Sequence, residues 1–272
     1  MLTPGITAAI LTHDESDMIA GCIQTLQWCE RVLVLDQHSA DGTAKMALQL
    51  GATVGMSDTT SFAQRRNELL EACATEWILY IDADERVTPE LASAIQDVVS
   101  QNSATAASFP RTNFFFGAEF RHGGWQGERV TRLFRVDALQ GWQGRIHESP
   151  KYTGEVLELT APLWHFSHRS VSDGLIKTAH WTPMEADLLA QATEKPVSFW
   201  VIVRKGLGEA WRRGICHSPR KDGEAGLIEL LTQVINRMLV YMQVWERQQK
   251  PPIATRYQEL QQKIDALWQK NA

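Results

Sequence analysis

Trp77–Ile81 (WILYI) is an unbroken apolar run that passes straight into Asp82-Ala83-Asp84, and this junction constrains the chain more than any other. A short continuous apolar run predicts a strand buried on both faces, with a polar edge at its carboxyl end. The same pattern occurs twice upstream. Ile6–Leu11 is a buried strand stopped by the polar cluster Thr12–Ser16, and Val32–Leu35 is another, stopped by Asp36. Between them, Asp17–Trp28 carries Met18, Ile19, Cys22, Ile23 and Leu26 at helical spacing. Asp41–Leu50 and Phe62–Ala74 predict two more helices. Thr88-Pro89-Glu90 opens a further one, with Thr88 as N-cap and Pro89 in the first turn. Such alternation implies a parallel sheet with helices on both faces, and ligands of such sheets bind outside the carboxyl ends of the strands. Asp14–Glu15, Asp36–Asp41 and Asp82–Asp84 are therefore expected on one edge.

Residues 104–165 change character, with short strands at Ala106–Phe116 and Val130–Val136, glycine-rich turns and many aromatics. From Ser170 onward the chain reads as helical, broken at Pro183 and Pro196, with Pro251-Pro252 before a last helix. A length of 272 residues accommodates one large α/β domain with a helical extension, drawn here at 1–170 and 171–272. A net charge of −5 argues against a nucleic-acid partner held by bulk charge. Cys22, Cys29, Cys73 and Cys216 form no CxxC pair and no zinc spacing, which suits free thiols in a reducing compartment. The N-terminus lacks a basic signal-type region and no run is long enough to span a bilayer, so the expected location is the cytoplasm.

Two carboxylates at i and i+2 beyond an apolar strand suit a hard divalent cation, Mg²⁺ or Mn²⁺, able to hold a diphosphate. The plain alternative is an acidic strand end that caps the following helix. A phosphatase with an Asp nucleophile is the chemical rival, but its Asp-x-Asp is followed by Thr or Val. Here Glu85 follows, and two strand–helix units come first.

Ile10–Glu15 (ILTHDE), Val34–Thr43 (VLDQHSADGT), Phe62–Asn67 (FAQRRN) and Ile78–Glu85 (ILYIDADE) stand in the order and spacing of the family 2 glycosyltransferases, which the first hundred residues resemble. The departures are Asp14 where Asn is usual, and Gln37-His38 in place of Asp-Gly. Gly123-Gly124-Trp125, Arg132–Arg135, Gly141–Gly144 before His147-Glu148, Trp164-His165-Phe166 and Asp173–Ala186 resemble a narrower branch, the lipopolysaccharide core β-1,4-glucosyltransferases. The tail departs from that branch, having only Lys221-Asp222-Gly223 where Phe-Leu-Asp-Gly is usual.

The resemblance implies an α/β fold of GT-A type, a Rossmann-like nucleotide-diphospho-sugar core with a mainly helical C-terminal extension. It implies an inverting, metal-dependent hexose transfer, with UDP-glucose as donor and a lipopolysaccharide inner-core sugar as acceptor. On that basis Asp36 reads the nucleobase and Glu15 helps to hold the nucleoside. Asp82 contacts ribose or the metal's water shell, and Asp84 binds the metal. Arg65 and Arg66, at a helix start, suit the diphosphate. A single displacement needs a base for the acceptor hydroxyl, and Glu148 is the expected one, with Glu128 and Asp137 behind it. His165 is a candidate to complete the metal shell, and Trp125 and Trp142 are candidates to stack on acceptor sugars. For each residue a structural reading stands beside these: helix caps for Asp36 and Glu148, a turn carboxylate for Glu15, core packing for His165 and the tryptophans.

Phe199–Lys221 interleaves Arg204, Lys205, Arg212, Arg213, Arg220 and Lys221 with Phe199, Trp200 and Trp211. That composition suits anionic headgroups or a phosphorylated lipid acceptor. The expected partners are thus a nucleotide-sugar donor, a lipid-linked or oligosaccharide acceptor, no nucleic acid, and a peripheral contact at the cytoplasmic face of the inner membrane. The oligomeric state stays open. So do a polyprenyl phosphate, capsule-sugar or protein acceptor, and a non-catalytic sugar-nucleotide binder.

Overall fold

The computed structural model describes residues 2–144, 148–192 and 195–271. The chain divides into two compact units, Met1–Arg121 with Trp125–Ser167, and His122–Gly124 with His168–Ala272.

In the first unit, β1 (Thr3–Thr12), α1 (Ser16–Gln24), β2 (Arg31–Asp36), α2 (Thr43–Gln49), β3 (Thr53–Met56), α3 (Phe62–Ala72) and β4 (Thr75–Asp82) alternate as the apolar pattern requires. β5 (Glu85–Val87) and α4 (Pro89–Gln101) follow, and the Thr88 hydroxyl caps α4 by accepting from Leu91 N–H. Then come β6 (Ala106–Phe115), β7 (Ala118–Phe120), β8 (Arg129–Arg135), β9 (Leu139–Gln143), β10 (Ser149–Tyr152), β11 (Val156–Glu158) and β12 (Leu163–Phe166). The main sheet runs β3-β2-β1-β4-β8-β6-β12-β5, with β7 and β11 also on β6, while β9 and β10 form a separate ribbon.

β3, β2, β1 and β4 are mutually parallel, as the alternation implies. β8 then inserts antiparallel between β4 and β6, so the sheet is mixed. Strand periodicity explains why β1 and β4 read as continuous apolar runs. Ile6, Ala8 and Ile10 join Trp77, Leu79 and Ile81 in a core that also takes Ile19, Ile23, Leu91 and Ile95 from α1 and α4. Ala9, Leu11, Ile78 and Tyr80 enter the opposite core with Leu69 of α3 and Trp142 of β9. Both faces are covered, and every side chain of the run is buried. Register then sets the edge: Thr12 pairs with Asp36, and Leu11 with Asp82.

The second unit holds α5 (Val171–Ala192), α6 (Phe199–Trp211), α7 (Gly223–Arg247) and α8 (Ile253–Asn271). Ala186, Val197, Ile202, Val240 and Val244 form its core. The expected break at Pro183 does not occur, because α5 continues through it. A proline in a helix removes one hydrogen bond, and contacts to α7 bracket the gap. Thr178 donates to Asn236, Gln243 donates to Thr182, and Arg247 reaches both the Pro183 carbonyl and Asp187. Among the described residues no helix is long and apolar enough to cross a membrane.

Leu79 is fully buried at the middle of the central strand. Leu79→Ala is expected to lower the unfolding free energy by about 2–5 kcal/mol, read as a shift in urea midpoint at constant slope.

Candidate active site

The site lies at the carboxyl ends of β1, β2 and β4. Asp36 ends β2 and is fully buried. Its carboxylate accepts from the Thr12 hydroxyl at 2.7 Å, the Ser39 hydroxyl at 2.6 Å and Ser39 N–H at 2.8 Å. The carboxylate expected to read a nucleobase is held from the end of β1 by Thr12 and from the loop after β2 by Ser39, and its three bonds shape residues 36–39. Asp41 bridges Thr43 N–H and Ser16 N–H. Burial works against its charged form, but these bonds hold the carboxyl well below the usual carboxylate range. Glu15 starts α1: its carbonyl receives Met18 and Ile19 N–H, and its own N–H donates to the Thr43 hydroxyl. The first two polar clusters are thus bound to each other, on the edge where register put them.

The strand end of β4 meets arginines from elsewhere. Arg66 of α3 is only 3% exposed. It donates from Nη2 to Asp82 Oδ1 at 3.0 Å and from Nε to Glu148 Oε1 at 3.1 Å. Its guanidinium lies over the rings of Trp142 and Tyr80, at 4.8 and 5.5 Å from their centroids. Arg132 of β8 takes the other oxygen of Asp82 at 2.6 Å. Burial disfavours the ionised Asp82 carboxyl, yet Arg132, Arg66 and the more distant Arg111 outweigh it and hold it far below the usual range. Glu85, fully buried, accepts Asp82 N–H through Oε2. Burial and the neighbouring Asp82 charge push its carboxyl up against the pull of Arg132 and Arg111. Arg65 is equally buried, stacks over Phe62 and has no hydrogen-bond partner at Nε. No carboxylate lies within ion-pair distance of it among the described residues, and burial together with Arg66 lowers its pKa. Asn67 joins α3 to β9 by exchanging hydrogen bonds with the Trp142 backbone, at 2.7 and 3.1 Å.

Asp84 and His165 form the third part. β12 lies between β5 and β6, so that His165 is level with Glu85 on one side and Asn113 on the other. The Asp84 carbonyl accepts Phe166 N–H, which fixes the turn after β4 against β12. His165 Nε2 stands 3.4 Å from Asp84 Oδ2, and Nδ1 is 2.7 Å from Asn113 Oδ1. The Asn113 amide has one orientation, because its nitrogen donates to Glu128 Oε2 at 2.9 Å and Glu128 is itself held by Arg111. Oδ1 must therefore face His165, Nδ1 must carry the proton, and in the neutral ring the Nε2 lone pair points at a carboxylate.

Two such acceptors close together fit a shared cation. At metal–ligand distances of about 2.1 Å, adjacent ligands lie about 3 Å apart. Among the described residues no group of three or more His, Cys, Asp or Glu side chains is placed to hold a metal. Asp84 and His165 supply two such acceptors, which by themselves fall short of a complete shell. Asp82, also expected near the metal, is occupied by its arginines instead.

A cleft of about 310 Å³ opens beside Asp82, lined by Val130, Thr131, Arg132, Trp142, Glu148, Pro150 and Tyr152. That is at the small end of the range for ligand sites, about 300–1,000 Å³. Of the three candidate bases only Glu148 lines it. Glu128 is engaged by Arg111 and Asn113, and Asp137 pairs with Arg135 at 2.6 Å. Trp142 is in the cleft wall, packed edge-on against Tyr80. Trp125 is not, and lies against Phe115 with ring centroids 4.7 Å apart. His147 lies outside the described residues. The sequence reading assigned no role to Arg132, Arg111, Asn113 or Glu85. Their signal was a charged or amide side chain recurring inside strands otherwise rich in apolar residues.

Residues 7–152 match the family described as Glycosyl transferase family 2. The chain is 24% identical over 271 residues to the lipopolysaccharide core biosynthesis glycosyltransferase LpsC of Rhizobium meliloti, covering 89% of this chain and 92% of that protein. It is 30% identical over 207 residues to an uncharacterised glycosyltransferase of Rickettsia prowazekii, with 71% of each covered. Among solved structures, S. aureus TarS 1–349 aligns with a TM-score of 0.45 at 12% identity, covering 87% of this chain and 90% of that one. The fold and the family match define a glycosyltransferase with a GT-A core. The chain belongs to glycosyl transferase family 2.

The depressed Asp82 carboxyl ties stability to acid. Its contribution is complete above the unfolded value of about 3.9 and is lost as pH falls through the lower folded value. Asp82→Asn is expected to be less stable than the parent at neutral pH. The gap should narrow below about pH 4, which urea unfolding across a pH series checks.

Proposed function

We propose that the protein transfers a hexose, glucose from UDP-glucose, to an inner-core sugar of lipopolysaccharide with inversion at the anomeric carbon. The observation that carries this reading is Arg66, which joins the strand-end Asp82 and the cleft-lining Glu148 through one buried guanidinium. The choice of donor and acceptor leans on the near full-length similarity to LpsC. In this reading residues 1–170 carry the chemistry and the acceptor cleft, and residues 171–272 are a helical region for membrane or partner contact at the cytoplasmic face of the inner membrane.

Glu148 is the base. Arg66 fixes Oε1, and no partner holds Oε2 among the described residues, so a lone pair is left for the acceptor hydroxyl. The acceptor oxygen bonds to the anomeric carbon as its proton passes to Glu148. The bond from that carbon to the diphosphate breaks, and the electron pair leaves with the nucleotide. Because Arg66 already donates to Glu148, the carboxylate stays oriented before substrate arrives. Asp36 organises the nucleobase loop through Ser39, and Glu15 supports it from the start of α1. Asp82 holds Arg66 and Arg132 in place beside the sugar. Arg65, buried and free of any ion pair among the described residues, supplies positive charge for the diphosphate. Asp84 and His165 would hold Mg²⁺ or Mn²⁺, which would neutralise charge on the departing diphosphate. Trp142 gives the acceptor cleft an aromatic wall.

The test measures UDP release from UDP-sugars with Mn²⁺, Mg²⁺ or EDTA. Glu148→Gln is expected to lower kcat by about 10²–10⁴-fold while donor binding by calorimetry is kept. Asp84→Ala should abolish the metal dependence, and Arg65→Ala should raise the donor KM. Donor binding without turnover in any variant or condition would replace the enzyme reading by that of a sugar-nucleotide binder. No binding of a nucleotide sugar would overturn both.

A further inference from the structure

The outer face of α6 meets no partner within the second unit. Its inner side buries Ile202, Gly206 and Glu209. α7 approaches so closely that a Cβ on Gly206 would come within 2.8 Å of Met238. The other side carries Trp200, Leu207 and Trp211, continued by Ile215 in the turn that follows, and these four are 62–75% exposed. Positions 200, 204, 207, 211 and 215 recur at three and four, which places them on a single stripe. Isolated exposed apolar residues are ordinary, but a row of large side chains with two tryptophans is not.

The charge around the stripe is mainly positive. Arg204, Arg220 and Lys221 are exposed and meet no carboxylate among the described residues. Two of the nearby acids are already taken, and Glu224 at the start of α7 is exposed. Glu209 accepts from Arg212 and Arg213, and Asp222 accepts from both the backbone N–H and the ring of His122. α8, by contrast, mixes Arg256 and Lys263 with Glu259 and Asp265.

We infer that the α6 face docks onto an anionic lipid surface. The helix lies in the interface plane, with Trp200, Leu207 and Trp211 among the acyl-chain ends and the arginines at the headgroups. Aromatic side chains that project from one helix, rather than line a groove, suit a fluid partner that closes around them. The inference rests on the second unit alone and holds whatever sugar the protein transfers.

The full chain is tested by co-sedimentation with vesicles of phosphatidylcholine, alone or mixed with phosphatidylglycerol. Binding is expected to the mixed vesicles only, and to weaken as salt is raised. Arg204→Glu should lower the partition coefficient by about tenfold. Trp200→Ala combined with Trp211→Ala should reduce it further, while UDP release in solution stays at the parental rate and shows that these exposed changes leave the fold intact. Absence of binding, or parental binding by both variants, overturns the inference. So does a dimer in light scattering that the tryptophan variant abolishes without any vesicle binding, since the stripe would then join two copies of this chain. Vesicle binding by a protein that releases no UDP would remove the proposed function and leave this inference standing.

Discussion

A buried guanidinium is costly unless negative charge answers it, and, unlike the equally buried Arg65, Arg66 is answered twice. With 3% exposure it would be severely destabilising alone. Asp82 and Glu148 compensate it, and the faces of Trp142 and Tyr80 enclose it. The arrangement joins α3, the end of β4 and the segment just before β10. Moving any of these would leave an unpaired charge away from water, so the cleft wall and the strand end keep one geometry.

Arg66 belongs to a wider alternation of charge. Arg132 and Arg111 stand on neighbouring strands of the mixed sheet, and Asp82, Glu85 and Glu128 lie between them. The carboxylates respond in opposite directions. Asp82, between two arginines, is held ionised, while burial and the adjacent Asp82 charge push Glu85 up. Two neighbouring acids with diverging proton affinities show how position within one cluster sets protonation. The same network continues through Glu128 and Asn113 to His165, where it selects the ring nitrogen that carries the proton. Charge balance at one end of the site thereby sets which His165 atom faces Asp84 at the other.

The early part of the chain was legible because its signals are local. Each buried strand is a continuous apolar run, and each stops at a polar residue that the parallel register brings to one edge. Thr88 caps its helix as the Thr-Pro-Glu pattern implies. Readings that depended on distant contacts fared differently. Pro183 breaks nothing because α7 supports the helix around it. Trp125 and Trp142 look alike in sequence, yet only Trp142 lines the cleft. Asp36 is closed in by Thr12, which meets it only through the register of β1 with β2.

The sequence by itself determined the alternating strands and helices of the first hundred residues, the polar edge and the family, since strand period, helix period and turn chemistry act over a few residues. Only the tertiary structure decided which charges meet. Arg66 is 82 positions from Glu148 and 16 from Asp82, and Asn113 is 52 from His165. Those contacts follow from β8 inserting antiparallel beside β4 and from β12 lying level with β6 and β5. Local periodicity carries no record of such choices, because the pairing that satisfies a buried charge depends on which strands become neighbours.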